Sequence, residues 1–364
     1  MNTEFSKIPK NISNSILTIG PDYINHRGGI GAVLEVYSKY FENFKFLPSY
    51  KVSSSFFKIF FFCGSILKFV KILICDRHIK IIHIHGASRG SFVRKFICFV
   101  IAKCIFRKKI IYHIHGGEYH QFYSQSNTII KKSIRMFINN SDCIVCLSEI
   151  WKSFFTSNFN PIKIEIVPNI IDYPVEINLN KEYSIINFLF LGKIGNGKGI
   201  FDLLDVISKN KEKYRGKIRL VIGGNGEVER LNHIIKQQQV DEFVEFIGWV
   251  TNEKKINCLR NAGIYILPSY NEGLPISILE AMSYGQAIIA TNVGGIPEIV
   301  IPGRNGVLIE PGNLIEIENA IDFFIHNPEK IKSYGKESKH IVTKHLPDCV
   351  ITQILAIYKS LLTM

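Results

Sequence analysis

Pro268 to Val300 reads PSYNEGLPISILEAMSYGQAIIATNVGGIPEIV, and the order of residue types in it decides how the second half of the chain folds. An apolar run, Ile264 to Leu267 (IYIL), enters a loop that holds Gly273 and Pro275, a helix begins near Ile276, and a second apolar run, Ala287 to Ala290 (AIIA), follows. Short apolar runs joined through a helix make a parallel βαβ unit. The same alternation extends outward in both directions. Strands are expected at Ile186 to Leu191, Ile218 to Ile222, Val244 to Ile247 and Val307 to Ile309, nearly all of them ending in a loop with Gly or Pro.

The first half repeats the pattern. A strand at Ile16 to Ile19 runs into the glycine loop His26-Arg27-Gly28-Gly29-Ile30-Gly31 and a helical stretch, AVLEVYSKYF, which is a Rossmann-type opening. Further strands are expected at Ile79 to His85, Lys109 to His115, Asp142 to Leu147 and Lys163 to Val167. After Pro168-Asn169 the polar stretch IIDYPVEINLNKEYS reads as a linker. A chain of 364 residues exceeds what one core supports. Two Rossmann-like domains are therefore expected, 1–178 and 179–345, with a C-terminal helix over 346–364 packing back toward the first.

Charge separates the halves. Residues 1–178 hold 23 Lys and Arg against 11 Asp and Glu, whereas residues 179–364 hold 21 against 20. Clustered cations suit nucleic acid, anionic lipid or a phosphorylated substrate. Two apolar segments in the basic half favour lipid: Phe56 to Cys75, with Lys58, Lys68 and Lys71, and Phe92 to Phe106, with Arg94, Lys95 and Lys103. Charges inside each segment argue against spanning helices. Both fit helices lying on a bilayer, and both fit covering helices of an α/β domain whose Lys stems reach water. The N-terminus has no apolar signal core, so export is not expected. Cys143 and Cys146 form a C-x-x-C inside a strand-like run with no second pair at zinc spacing, and read as buried thiols.

The chemistry is expected in the loops beyond the strands' carboxyl ends. The first amides of the helix near Ile276 lack intrahelical partners and carry the positive end of its dipole, an arrangement that binds phosphate. Glu280 stands about one turn inside, where a carboxylate accepts two neighbouring ribose hydroxyls, and Glu272 lies to the other side of the anion. One acid for each sugar, with a pyrophosphate between, outlines a nucleotide-sugar site. A second phosphate loop, Gly192-Lys193-Ile194-Gly195-Asn196-Gly197-Lys198-Gly199, matches the P-loop pattern until Gly199 stands where the magnesium-binding Ser or Thr belongs, which argues against an NTPase.

These motifs resemble the retaining glycosyltransferases of family 4, whose group 1 domain has the GT-B fold, an α/β architecture of two Rossmann-like domains with parallel sheets facing across a cleft. The resemblance implies that Glu272 contacts the donor hexose and Glu280 the ribose, within a loop formed by Gly273, Leu274, Pro275 and Ile276. It places Lys193, where Arg is commoner, and Lys198 on the donor diphosphate; Lys193 keeps the charge without the bidentate fork. Gly224 falls in the family's glycine loop, and Trp249 and Val250 beside the base. More loosely, Gly28 and Gly29 match the first loop near the donor phosphates, His115 the histidine that closes over the reacting sugar, and His85 an acceptor-side position. His113, alternating with His115, is expected to be buried and hydrogen-bonded.

The expected activity is a metal-independent hexosyl transfer with retention, with no cofactor beyond the nucleoside diphosphate sugar and no nucleic acid. No D-x-D occurs in the chain to bridge a metal to the donor. The resemblance implies a saccharide or polyprenyl-diphosphate-linked acceptor in bacterial surface-polysaccharide assembly. Charge and apolar segments together lead to a cytoplasmic protein held peripherally on the anionic inner face of the cell membrane. Two other readings share the architecture: a nucleotide-sugar epimerase, and a non-catalytic nucleotide-sugar-binding protein.

Overall fold

A computed structural model describes residues 7–24, 28–51, 55–174 and 184–363. The chain divides into two compact units, Met1–Asp172 with His345–Met364, and Tyr173–Lys344. His26 and Arg27 of the first glycine loop, and residues 175–183 of the linker, lie outside the described residues.

In the first unit β1 (Ile16–Pro21), β2 (Phe46–Tyr50), β3 (Ile81–Gly86), β4 (Lys109–Ile114), β5 (Cys143–Cys146) and β6 (Ile164–Ile166) form a six-stranded sheet in the order β2-β1-β3-β4-β5-β6. In the second, β7 (Ile186–Ile194), β8 (Ile218–Gly226), β9 (Val244–Phe246), β10 (Ile264–Leu267), β11 (Ala287–Thr291) and β12 (Gly306–Ile309) form another, in the order β12-β11-β10-β7-β8-β9. Every pairing is parallel. β3 and β11 are buried along their whole length, as strands covered on both faces must be. The strand order reverses between β1 and β3 in one sheet and between β7 and β10 in the other. There successive loops leave in opposite directions and open a crevice at the carboxyl ends.

Local physics explains where the structure departs from the sequence expectation. β2 carries Pro48, which cannot donate to a ladder; it is tolerated because β2 is an edge strand paired with β1 alone. Gly192-Lys193-Ile194 and Gly223 to Gly226 continue β7 and β8 instead of leaving as loops, with Gly192 opposite Gly224 and Lys193 opposite Asn225. A Cβ on Gly224 would stand 2.0 Å from the Gly192 carbonyl oxygen, so the two strands run this far together only as glycine permits.

Lys95 is the other correction. It does not reach water: it is buried, hydrogen-bonded to the Ser49 hydroxyl, and burial pulls its ammonium down to about 7. Its neighbours are engaged as well, Arg94 over the Tyr50 ring at 4.8 Å and Lys103 on Asp142 at 2.6 Å. The segment forms the helix Gly90–Phe99, continued by a π-helical turn Val100–Ile105, and its Phe92 and Phe99 join the core beneath Phe137 and Tyr112. The helix Ser55–Cys75 buries Phe69 and Leu73 against the same core, each contributing roughly 1.5–3 kcal/mol. Its opposite side exposes Phe56, Phe60, Leu67 and Ile74. The helix Pro347–Thr363 belongs to the first unit and places Tyr358 against β3.

Replacing Gly224 by Ala is expected to open the β7–β8 ladder and lower stability by roughly 2–4 kcal/mol in urea titrations. An unchanged midpoint would show that the close approach does not constrain the sheet.

Candidate active site

In the Tyr173–Lys344 unit the reversal point lies between the ends of β7 and β10, and the charged groups collect there. After β7 a 3₁₀ turn, Asn196–Lys198, ends on Gly199, whose φ of 66° is left-handed. A Cβ at Gly199 would stand 2.0 Å from the Pro268 carbonyl oxygen. This is the physical reason that the P-loop pattern fails at its last position: neither Ser nor Thr fits. The same turn is tied to the loop after β10 by a backbone bond from Tyr270 N–H to the Gly197 carbonyl, 3.1 Å.

Lys198, three-tenths exposed, forms an ion pair with Glu272. The Glu272 carboxylate is buried and also accepts the Ser269 hydroxyl at 2.8 Å, while the Ser269 carbonyl accepts the Thr291 hydroxyl at 2.6 Å. A buried carboxylate is tolerable only when paired and hydrogen-bonded in this way. From the other side Gly294, with φ 55°, presses on the same loop so closely that a Cβ would stand 1.9 Å from the Glu272 carbonyl oxygen, and Gly295 N–H donates to the Gly273 carbonyl at 2.7 Å.

The helix Ile276–Ser283 starts from Pro275, so its first amides face the loop of Gly273 and Leu274. Glu280, part-buried, pairs with Lys255 of the helix Asn252–Asn261 at 2.5 Å. Lys193 is exposed near the end of β7. Gly224 N–H donates to the Gly248 carbonyl at 2.9 Å, which brings the end of β8 to the loop where Trp249 is 38% exposed and Val250 is buried.

In the first unit, β3 and β4 present His83, His85 and His113 on one face, with His85 in register with His113, and His115 follows directly after β4. The rings lie close, 4.2 Å between centroids for His83–His85 and for His113–His115. His83 Nδ1 shares a hydrogen bond with the Tyr358 hydroxyl at 2.6 Å, His85 Nδ1 with His115 Nε2 at 2.9 Å, and His115 Nδ1 with Asn169 Oδ1 at 3.0 Å. His113 is buried as expected, but neither ring nitrogen has a partner at hydrogen-bond distance; the nearby Val167 backbone favours its protonated form, against burial. Burial is the main cause that holds all four imidazoles neutral, His83 down to about 3, His115 to about 4, and His85 and His113 well below the ordinary histidine value. Gly28 caps the helix Gly29–Lys39 in an extended conformation with open space where a Cβ would go. Cys143 and Cys146 are buried free thiols on β5, both pushed up by burial to about 12.

Sequence reasoning missed Ser269, Gly294, Lys255 and Asn169. Ser269 and Gly294 stand inside the stretch from Pro268 to Val300, but nothing local says that their partners are across the loop. Lys255 sits in an ordinary charged helix, and Asn169 in what reads as the start of a linker.

Residues 173–341 match the model for glycosyl transferases group 1, and residues 44–173 that for glycosyltransferase family 4. The chain belongs to the glycosyltransferases of this family. An uncharacterised glycosyltransferase of Methanocaldococcus jannaschii is 28% identical over 270 residues, 70% of this chain and 69% of that protein. An uncharacterised 41.2 kDa protein in the cps region of Klebsiella pneumoniae is 25% identical over 303 residues, 77% of this chain and 78% of its own. Among solved structures, sucrose-phosphate synthase of Thermosynechococcus elongatus superimposes with a TM-score of 0.79 at 17% identity over 96% of this chain and 99% of the other. Anabaena HepE, solved with UDP and glucose, gives 0.71 at 16% over 96% and 100%. These likenesses establish the GT-B fold.

The neutral histidines make stability depend on pH. Below an ordinary histidine pKa of about 6.5 the unfolded chain takes up protons that the folded one refuses, so stability falls as pH drops from about 6.5 toward 4. Each fully buried histidine contributes a slope of roughly 1.4 kcal/mol per pH unit. Melting temperature is expected to fall between pH 7 and pH 5, less steeply in His113→Phe; a flat profile would contradict buried neutral imidazoles.

Proposed function

We propose that the chain is a retaining hexosyltransferase, moving a sugar from a nucleoside diphosphate to a saccharide or lipid-linked saccharide acceptor without a metal. The observation that carries this reading is the Lys198–Glu272 pair, set beside the free amides of the helix Ile276–Ser283 at the β7/β10 reversal. A diphosphate entering there meets Lys198 and the helix amides, with Lys193 as a second cation, and draws Lys198 away from Glu272. The released Glu272 carboxylate then accepts hydroxyls of the hexose, while Glu280 accepts those of the ribose. As the glycosidic bond breaks, negative charge grows on the diphosphate, and preorganised cations and amides favour that state over the ground state. The acceptor hydroxyl attacks from the face that the diphosphate leaves, its proton passing to the departing phosphate oxygen as the anomeric C–O bond breaks, which preserves the anomeric configuration. UDP and glucose in HepE support a nucleotide-sugar donor, and the cps-region relative supports a role in surface polysaccharide.

The acceptor is proposed to be membrane-borne. No described helix is long and apolar enough to cross a bilayer. The helix Ser55–Cys75 nevertheless exposes Phe56 at 70%, Phe60 at 61%, Leu67 at 74% and Ile74 at 61%, with Lys68 and Lys71 also exposed along it. Apolar side chains beside lysines suit the headgroup boundary of an anionic bilayer. With Arg94, Lys95 and Lys103 engaged inside the protein, this helix carries the proposal.

A panel of UDP-, GDP- and ADP-sugars is expected to contain one donor class that raises the melting temperature, and Glu280→Gln is expected to weaken its binding by about 1.5–3 kcal/mol. Equal affinity in the variant would remove Glu280 from the ribose. Flotation with liposomes is expected to require anionic lipid and to weaken with salt and in Phe60→Ser/Leu67→Ser. Binding indifferent to all three would overturn the membrane proposal.

A further inference from the structure

His115 stands between two hydrogen bonds whose proton positions are forced. Its Nδ1 lies 3.0 Å from Oδ1 of Asn169, and its Nε2 lies 2.9 Å from Nδ1 of His85. An amide oxygen only accepts, so the proton of this bond belongs to His115 Nδ1. A neutral imidazole carries one N–H, and burial keeps His115 neutral to about pH 4. Its Nε2 is therefore a bare lone pair. His85 must then donate through Nδ1–H, which leaves its own Nε2 without a proton. Asn169 is itself buried and held, because its backbone carbonyl accepts from His345 Nδ1 at 3.1 Å.

His83, His85 and His113 each bring a ring nitrogen within 4.8 Å of the others. His83 and His113 lie nearly parallel, at 4°, while His85 is tilted by 36° and 34° against them. Two of the three rings are already engaged by groups outside the trio, His83 with the Tyr358 hydroxyl and His85 with His115.

We propose that Asn169 is a positioning residue that fixes His115 as its Nδ1–H tautomer, so that the nitrogen offered to substrate accepts a hydroxyl and does not donate a proton. His85 N–H fills that lone pair until a sugar hydroxyl replaces it. The inference rests on the reading of the protein as a glycosyltransferase and of His115 as a group that meets a sugar hydroxyl. It assigns His115 to recognition of a hydroxyl and excludes its Nε2 as a proton donor.

The test uses long-range ¹H–¹⁵N spectra of the histidine side chains in the full-length protein at pH 7, assigned with His115→Gln and His85→Gln. The proton of His115 is expected on Nδ1, and Asn169→Ala is expected to spread it over both nitrogens. Asn169→Asp keeps an acceptor at that place and adds a charge. It is expected to retain the tautomer while moving the protonation of His115 upward by about one pH unit or more, with the acid limb of the transfer rate moving in step. With the donor that the enzyme uses, Asn169→Ala is expected to lower kcat by about tenfold and leave KM within about twofold. A wild-type His115 protonated on Nε2, or a tautomer indifferent to Asn169→Ala, would overturn the proposal whether or not the protein transfers a sugar. The expected tautomers with an unaltered kcat and pH profile would overturn the positioning role alone. Should Asn169→Ala fail to fold, the wild-type spectrum and Asn169→Asp decide the matter.

Discussion

Two close approaches of glycine to a backbone carbonyl govern the loops at the β7/β10 reversal. Gly199 lies against the Pro268 carbonyl and Gly294 against that of Glu272, each at a left-handed φ and each so close that a Cβ would fall within about 2 Å of the oxygen. Together they clamp the loop after β10 from both sides. The clamp fixes where the Glu272 side chain emerges, and Lys198, one residue before Gly199, meets it there. A buried acid and a cation three-tenths exposed are thus held together in advance, at the place where a charged ligand would meet both. The sequence departure that removes a P-loop's magnesium ligand and the geometry that builds the Lys198–Glu272 pair have one cause, the Cβ-free approach of Gly199 to Pro268.

Legibility in the sequence depends on the range of the interaction. The strands that repeat as apolar runs, and the helix that begins at Ile276, are set by local pattern and can be read from it. β2 cannot, because Pro48 breaks the strand pattern and only its place at the sheet edge excuses it. The ends of β7 and β8 read as glycine loops, since glycine that serves a loop and glycine that lets two strands approach look alike until the register is known. Lys95 reads as a surface lysine for a related reason: its partner, Ser49, lies 46 residues away on β2, the strand that the pattern hides. Of the candidate site residues, Glu272, Glu280, Lys193 and Lys198 in one unit and His115 in the other come from motif order and resemblance. Ser269, Lys255 and Asn169 act on those residues through tertiary contacts, and no spacing rule announces them.

The first unit distributes its charge differently from what composition suggests. Its surplus of cations is partly consumed internally, by Asp142, Tyr50 and Ser49. The helix Ser55–Cys75 keeps lysines and large apolar groups on its outer side. Four imidazoles pack together, His83 bonded to the Tyr358 hydroxyl and His85 through His115 to the Asn169 amide, an arrangement favoured while they remain neutral. Acid therefore acts on this unit through its histidines, and the helix Pro347–Thr363 is tied to them by the bond between Tyr358 and His83.

If the Tyr173–Lys344 unit holds a nucleoside diphosphate sugar through the loops around Lys198, Glu272 and Glu280, those loops must lose backbone freedom when the donor binds. Hydrogen exchange read by mass spectrometry, with and without the donor that stabilises the protein, measures that loss segment by segment. Added protection is expected in peptides covering residues 192–199, 248–255 and 272–280, and most of it is expected to vanish in Glu280→Gln at the same donor concentration. Protection confined to the first unit, with those three segments exchanging as in the free protein, would contradict the donor site built from these loops.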